Sequence, residues 1–514
     1  MGSSILLWAS WPVSPFTFFI FVAWIPLLWL ESNTGSHRKF FGFTYVAMLV
    51  WNIATTWWVW NASAPGSVGA FLANSLLMCL PWLGFRIVKK WLGEKPGYIS
   101  LIVFWLCFEY LHLQDWGLSW PWLTLGNVFA THTEWIQWYA YTGTSGGSLW
   151  IMVVNVLLFF HLKNNVNREE GKSYKYLVAG ILIMVLPVAI SIFSSMKKSA
   201  IGDRNVVVIQ PNIDPYEKIY TGTIEAQLHK LIQLTEKNID TNTALVVWPE
   251  TALYTEHGID EETMKENFLL NPLWGFLKRH PGITLFSGVE SFRKFDSQAT
   301  STARPIGGGY FADDYNGSVL LDSSGPHAFY HKSMLVPGVE TLPWFLKFID
   351  VWFEKFGGTT AGYAKQDERT VLNDGKHGYR IAPSICYESI YGEFMSQYVR
   401  NGANIICIIT NDGWWGNTPG HKQHMNYARL RAIETRTWIA RSANTGISCF
   451  IDPQGKVISQ EPWDTAAALK MNIPFSDVKT FYVRNGDLLS KGITIAAVLL
   501  IITTMIVWIK KKSG

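Results

Sequence analysis

Apolar stretches close to the length of a membrane-spanning helix recur through the first 195 residues and once more at 493–509, and they limit the fold before any single residue does. A bilayer core takes about 20 apolar residues per helix and leaves no backbone group unpaired, so such runs must be helices packed in a bundle. The candidate spans are 5–30, 40–60, 67–88, 98–113, 145–162, 175–194 and 493–509. Pro12, Pro15 and Pro26 leave the first as one span or two short ones, so the total is seven or eight. No basic residues precede that stretch and no small-residue cleavage site follows it, so it reads as embedded sequence and not as a removed leader. Hydrophobic residues make up 49% of the 514 and charged residues 16%, too apolar for an ordinary soluble enzyme and long enough for two domains.

The basic residues orient the spans, because short loops rich in Lys and Arg stay on the cytoplasmic side. His37-Arg38-Lys39, the cluster Arg86, Lys89, Lys90 and Lys95, the loop with Lys163, Arg168, Lys172 and Lys175, and Lys510-Lys511-Lys512 fall on alternate connections. All four sit inside together, so 61–66, 114–144 and roughly 196–490 lie outside, against the weaker pull of Lys197 and Lys198. The outer loop 114–144 holds Trp116, Trp120, Trp122, Trp135 and Trp138, which read as an aromatic belt at the headgroup layer. A net charge of +4 without a basic stripe gives no case for a nucleic-acid partner. Five cysteines without CxxC spacing indicate neither a disulfide framework nor a metal site, and nothing calls for a cofactor.

From about residue 203 the texture changes. Short β-rich runs at 206–210, 244–248, 283–288 and 405–410 alternate with helical patterns near 222–238, 262–280, 387–400 and 421–440. That alternation predicts a layered α/β domain. The organisation is then a bundle of six or seven spans over 1–195, an α/β domain over 196–490, and a last span with a basic tail over 491–514.

Three strand ends in that domain carry reactive groups. The run YRIAPSICYE at 379–388 delivers Cys386 to the start of a predicted helix, where outward-pointing amides favour a thiolate. Read alone, Cys386 is either a nucleophile or a buried structural thiol. ALVVW closes with Pro249-Glu250, IICIIT with Asn411-Asp412-Gly413-Trp414-Trp415-Gly416, and FYHKSMLVPGVE supplies Lys332 and Glu340. Open α/β sheets place their chemistry at the carboxyl ends of strands, so one shared site is expected.

The ordered set WPE at 248–250, HK at 331–332 and ICYE at 385–388 resembles the Glu-Lys-Cys triad of the nitrilase superfamily. With spans before and after the domain, PWL at 121–123, QPNI at 210–213, NDGWWG at 411–416 and HMNYARLRAIETR at 424–436, the chain resembles that superfamily's membrane-embedded branch, the apolipoprotein N-acyltransferases. The segment LVPGVETLPW departs from the family's Phe-Gly-Glu order while keeping the Lys332 to Glu340 spacing. The resemblance implies a nitrilase-like αββα sandwich on the periplasmic side of a bacterial inner membrane, attached to a helical transmembrane bundle. It implies ping-pong acyl transfer from a phospholipid donor, through a thioester, to the N-terminal amine of a diacylated apolipoprotein, by a chain that works as a monomer. Cys386 is then the nucleophile, Glu250 the general base and acid, and Lys332 with the Tyr387 amide the oxyanion donors. Glu340 and Glu388 fix the lysine and the entry loop.

The stretch 342–356 has an apolar helical face, with Trp344 beside it and Phe345 and Trp352 on it, and either forms an interfacial lid or packs on the core. Trp414 and Trp415 divide between acyl contact and packing in the same way. Two rival readings remain open at this point: a membrane-anchored carbon-nitrogen hydrolase using the same triad on a small amide, and a transporter with an external binding domain.

Overall fold

The computed structural model describes residues 1–166, 170–194, 202–215, 223–341 and 362–513. The expected helix at 342–356, with Trp344, Phe345 and Trp352, lies outside the described residues, as do Arg168, Lys197 and Lys198. The chain forms two units. One comprises Met1–Trp60, Ala64–Lys197 and Asn485–Gly514, the other Asn61–Ser63 and Lys198–Arg484.

The first unit is helical. Its elements are α1 (Gly2–Ser10), α2 (Ile25–Asn33), α3 (His37–Thr56), α4 (Ala64–Leu77), α5 (Cys79–Leu92), α6 (Glu94–His112), α7 (Tyr139–Val166), α8 (Glu170–Ser194) and the C-terminal helix Leu488–Ser513. The prolines near the amino terminus have the effect anticipated for them. The stretch 5–30 breaks into α1, a 3-10 turn at Thr17–Phe21 and α2, with Pro26 in the first turn of α2, where its missing N–H costs nothing.

Among the described residues four helical stretches are long and apolar enough to cross a membrane: Ala64–Leu92, Tyr139–Val166, Tyr174–Phe193 and Leu488–Lys512. That is fewer than the seven or eight expected. α3 and α6, with 20 and 19 residues, have the length but are less apolar. Asn52 on α3 and Glu109 on α6 turn inward and find partners: Asn74 Nδ2 donates to Asn52 Oδ1 at 2.7 Å, and Trp105 Nε1 and Leu125 N donate to Glu109 Oε1 at 2.9 and 2.8 Å. Trp11, Trp24, Trp51, Trp82 and Trp105 fill the interior of this unit. The belt reading of the loop 114–144 also needs correction at Trp122, which is buried edge-on against Trp58 with ring centroids 4.7 Å apart, whereas Trp116 is exposed.

The second unit holds two sheets. The first contains β1 (Asn205–Gln210), β2 (Thr243–Val247), β3 (Ile259–Asp260), β4 (Thr284–Phe295), β5 (Arg304–Gly307), β6 (Tyr310–Asp322), β7 (Gly325–His331) and β14 (Ala467–Asn472), in the order β14-β1-β2-β4-β6-β5, with β3 beside β4 and β7 beside β6. The second runs β13-β12-β11-β10-β9-β8, from β8 (Leu372–Asn373), β9 (Arg380–Ile385), β10 (Ile405–Thr410), β11 (Ile439–Ala443), β12 (Cys449–Ile451) and β13 (Val457–Gln460). β1, β2 and β4 are parallel, and so are β9, β10 and β11. The central strands β1, β2 and β10 are buried along their whole length, which is why they read as unbroken apolar runs. The sheets are tied where the Ser442 hydroxyl on β11 donates to the Ile209 carbonyl on β1 at 2.7 Å.

The helices of this unit are α9 (Ile224–Glu236), α10 (Asn271–Arg279), α11 (Gly392–Arg400), α12 (Pro419–Thr435) and α13 (Phe481–Asn485), and the C-terminal helix becomes α14. Three predicted helices change shape, and the one at 387–400 becomes α-helical only at Gly392. The pattern at 262–280 resolves into two 3-10 turns followed by α10, which starts at Asn271-Pro272. The pattern at 421–440 ends at Thr435, because Arg436 turns left-handed (φ 55°) and starts the approach to β11.

Candidate active site

Each of the expected reactive side chains sits just past the end of a strand. β2 delivers Glu250, β7 delivers Lys332, β9 delivers Cys386 and β10 delivers Asn411 and Asp412. β2 and β7 belong to one sheet and β9 and β10 to the other, so the site forms where the two meet.

Lys332 is 1% exposed and lies between two buried carboxylates. Its ammonium is 2.8 Å from Glu340 Oε1 and 3.5 Å from Glu250 Oε1. Burial disfavours its charge, but Glu340 and Glu250 outweigh that and hold the Lys332 pKa well above its ordinary value. The lysine therefore stays a cation through the neutral range. Asn316, on β6, was not foreseen: its Nδ2 donates to both Glu250 Oε1 and Glu340 Oε1 at 2.9 Å, bridging the two acids. Glu250 Oε2 accepts from the Asn411 amide at 3.0 Å, which stitches the sheets together across the site. Glu340 Oε2 accepts from Val336 N at 2.8 Å and so closes the loop after the lysine.

Cys386 opens a 3-10 turn, Cys386–Ile390, in place of the predicted α-helix, which begins only at Gly392. Its φ of 51° is left-handed, a conformation that costs a non-glycine residue roughly 1–2 kcal/mol. Glu388 holds that elbow. Its Oε2 accepts from Ile385 N at 2.8 Å, and its Oε1 accepts from the Tyr330 hydroxyl and Ser333 N at 2.7 Å and from Met334 N at 3.2 Å. One carboxylate thus ties the cysteine turn to the loop behind Lys332. Tyr387 is buried and meets Tyr391 edge-on, 5.3 Å between centroids.

The helix-start argument for a resting thiolate does not hold. The residue keeps partial exposure, yet burial at its sulfur, followed by the negative charge of Glu250, pushes the thiol pKa well above the ordinary value; Lys332 pulls it back only in part. Cys386 rests as a thiol and needs a base. The sulfur is also within 4.8 Å of an Asp412 oxygen and a His424 nitrogen, a neighbourhood the sequence reading did not include. Trp414 and Trp415 are half-buried in the 3-10 turn Asp412–Trp415, and the Trp415 ring meets His424 edge-on at 5.5 Å.

A partly exposed thiol, a buried acid and a permanent cation brought together in this way suit acyl transfer through a covalent intermediate. Residues 205–482 match the carbon-nitrogen hydrolase family, and residues 3–157 match the apolipoprotein N-acyltransferase N-terminal domain. The chain is 31% identical over 507 residues to the apolipoprotein N-acyltransferase of Chlorobaculum tepidum, covering 95% of this chain and 92% of the relative. It is 26% identical over 515 residues to that of Geobacter metallireducens, covering 94% and 90%. Among solved structures, an amidase from Nesterenkonia sp. AN1 aligns at 13% identity and a TM-score of 0.37, covering 57% of this chain and 99% of the amidase. With both parts of the chain matched and a likeness that runs nearly its whole length, this chain belongs to the apolipoprotein N-acyltransferase family.

Proposed function

We propose that this membrane acyltransferase carries out lipoprotein N-acylation through a thioester on Cys386. The observation that carries the reading is the buried Lys332 ammonium held between Glu250 and Glu340 beside the strained Cys386 elbow. Glu250 takes the thiol proton as sulfur attacks the ester carbonyl of a phospholipid. Lys332 and the Tyr387 amide receive the oxyanion, and one preorganised donor of this kind is worth about 3 kcal/mol in the transition state. As the tetrahedral adduct collapses, the C–O bond breaks and Glu250 returns the proton to the departing lysophospholipid oxygen. The amine of a diacylglyceryl cysteine then attacks the thioester and gives a proton to Glu250. The C–S bond breaks, and sulfur leaves as the thiol by taking that proton back. Glu340 holds the lysine and Glu388 holds the elbow.

The sides of the membrane are read from the basic loops: the α/β domain lies on the periplasmic face of the inner membrane and the Lys510–Lys512 tail inside. Both substrates live in the membrane, which gives the helical unit a reason that a soluble amidase does not supply, and a transporter would line its path with more intramembrane charges than Glu109 and its few companions.

The test is mass spectrometry of the purified protein after incubation with a labelled phospholipid. The expected result is an acyl adduct on Cys386, absent in Cys386→Ala, which a peptide bearing diacylglyceryl cysteine discharges as an amide. A folded protein that never acquires the adduct overturns the reading; discharge to water alone turns it into a hydrolase.

A further inference from the structure

The carbonyl of Cys386 is pinned from behind. His424 Nε2, on α12, lies 3.0 Å from that oxygen, and the Ser389 hydroxyl donates to it at 2.8 Å while lying 2.9 Å from the same ring nitrogen. A carbonyl oxygen only accepts, so Nε2 carries the hydrogen in this contact. The other face of the imidazole is fixed as well. Nδ1 lies 2.9 Å from Asp412 Oδ1, a carboxylate oxygen that also only accepts, so Nδ1 carries a hydrogen too, and Arg441 Nη2, 3.1 Å away, holds the ring through Asp412 and not by a bond to Nδ1. Asp412 Oδ1 also accepts from the Thr410 hydroxyl at 2.8 Å, its Oδ2 accepts from Arg441 Nη2 at 2.7 Å, and Arg441 Nη1 donates to the Ile447 carbonyl at 2.6 Å. His424, Asp412 and Arg441 are all completely buried. Burial works against the Asp412 charge, but Arg441 and His424 prevail and keep it an anion.

A trans peptide is planar, and its C=O and N–H point in opposite directions. Whatever anchors the Cys386 carbonyl therefore also aims the amide of Tyr387. We propose that His424 is a positioning residue for acyl transfer: by donating to the Cys386 carbonyl, with Asp412 and Arg441 fixing its ring, it turns the Tyr387 N–H toward the developing oxyanion and keeps the nucleophile in its left-handed elbow. The proposal rests on the reading of Cys386 as the acylated residue and Tyr387 N–H as an oxyanion donor. It adds three buried side chains that the Glu-Lys-Cys set does not contain, reaching the reaction through one peptide plane.

The experiment uses the full-length protein in detergent with a phospholipid carrying a 13C-labelled acyl carbonyl, and reads the thioester C=O stretch by isotope-edited infrared difference spectroscopy beside single-turnover kinetics. An oxyanion donor aimed at the carbonyl lowers that frequency relative to the unfolded acyl-enzyme. In His424→Asn, which keeps a polar group toward Asp412 but is too short to reach the Cys386 oxygen, the band is expected to move toward the unfolded position. Thioester formation in that variant is expected to slow about ten-fold or more, a part of the roughly hundred-fold or greater cost of losing a donor outright because the Tyr387 N–H is misaimed and not removed, at nearly unchanged phospholipid KM. His424→Gln, whose amide reaches further, is expected to recover most of both. If His424→Asn does not fold, Ser389→Ala removes the second hydrogen bond to the same oxygen and should move the band in the same direction. A folded variant with slowed turnover and an unmoved band reduces His424 to a packing role and overturns the proposal alone. A wild-type protein that forms no thioester overturns the acyl-enzyme reading and takes this proposal with it.

Discussion

At the scale of single residues, the site depends on how burial and two charges set one thiol. Burial and Glu250 raise the Cys386 pKa, and Lys332 lowers it, so the two neighbours should have opposite effects on thiol reactivity when neutralised. With iodoacetamide as probe and peptide mass spectrometry as readout, alkylation of Cys386 in the unmodified protein is expected to be slow at neutral pH and to rise only in alkali. Glu250→Gln removes a nearby negative charge, lowers the thiol pKa, and should bring the rise to lower pH by about one unit, the small end of what an adjacent charge does. Lys332→Met should move it the other way. It also leaves Glu250 and Glu340 facing each other with only Asn316 between them, so a lower melting temperature is expected alongside. Shifts of the same sign in both variants would mean that these charges do not act on the sulfur as described. Glu250 and Cys386 were visible in the chain because each interrupts apolar sequence at a strand end, whereas Lys332 was placed by the HK motif of the family resemblance. Asn316 was not visible: it lies inside the long strand β6, where one polar residue among DDYNGSVLLD marks no boundary, and its partners are 66 and 24 residues away. His424 and Arg441 were hidden for the same reason, since their meaning comes from Asp412, which only the folded domain brings to them.

At the scale of elements, strands proved more legible than helices. Four β-rich runs announced β1, β2, the start of β4 and β10, because fully buried strands must be apolar on both faces. β6, although mostly buried, went unread because Asp313, Asp314, Asn316 and Ser318 break its apolar pattern, and the edge strands β13 and β14 because no residue in either is fully buried. One glycine shows how closely an element can govern the site. Gly288 on β4 lies directly beneath the Glu250 turn, and a Cβ there would sit 2.5 Å from the Pro249 oxygen, 2.6 Å from Thr251 N and 2.7 Å from Glu250 Cα. All three are backbone atoms of a turn in which Thr251 is already left-handed (φ 49°), so the turn, and not a flexible side chain, must move. Gly288→Ala is expected to keep the fold with a melting temperature lower by a few degrees, on the order of 1–3 kcal/mol of overpacking. Thioester formation should fall about ten-fold or more, because small misplacements of a catalytic group are costly. A variant as unstable as expected but with undiminished acylation would show that Glu250 tolerates displacement.

At the scale of the whole molecule, the charge pattern and the two units make different demands on the same chain. The helical unit pairs its buried charges inside, as where Glu31 binds Lys89 at 2.6 Å, and turns apolar side chains of α8 and α14 outward. Such surface is stable only in a bilayer, and the basic loops then decide which way the chain faces. Gly35, in the basic turn ahead of α3, has open space where a Cβ would be, and Gln298, in the loop between β4 and β5, is exposed. Cysteine at either position should fold normally, with the parent chain setting the background of its own five thiols, three of them buried. In intact spheroplasts a membrane-impermeant maleimide is expected to label Gln298→Cys at once and Gly35→Cys only after permeabilisation. That order is what the proposed placement of the α/β domain outside and the basic loops inside requires. Labelling in the reverse order would leave the triad chemistry intact but put it on the wrong side, and the acceptor would then have to be a cytoplasmic amine.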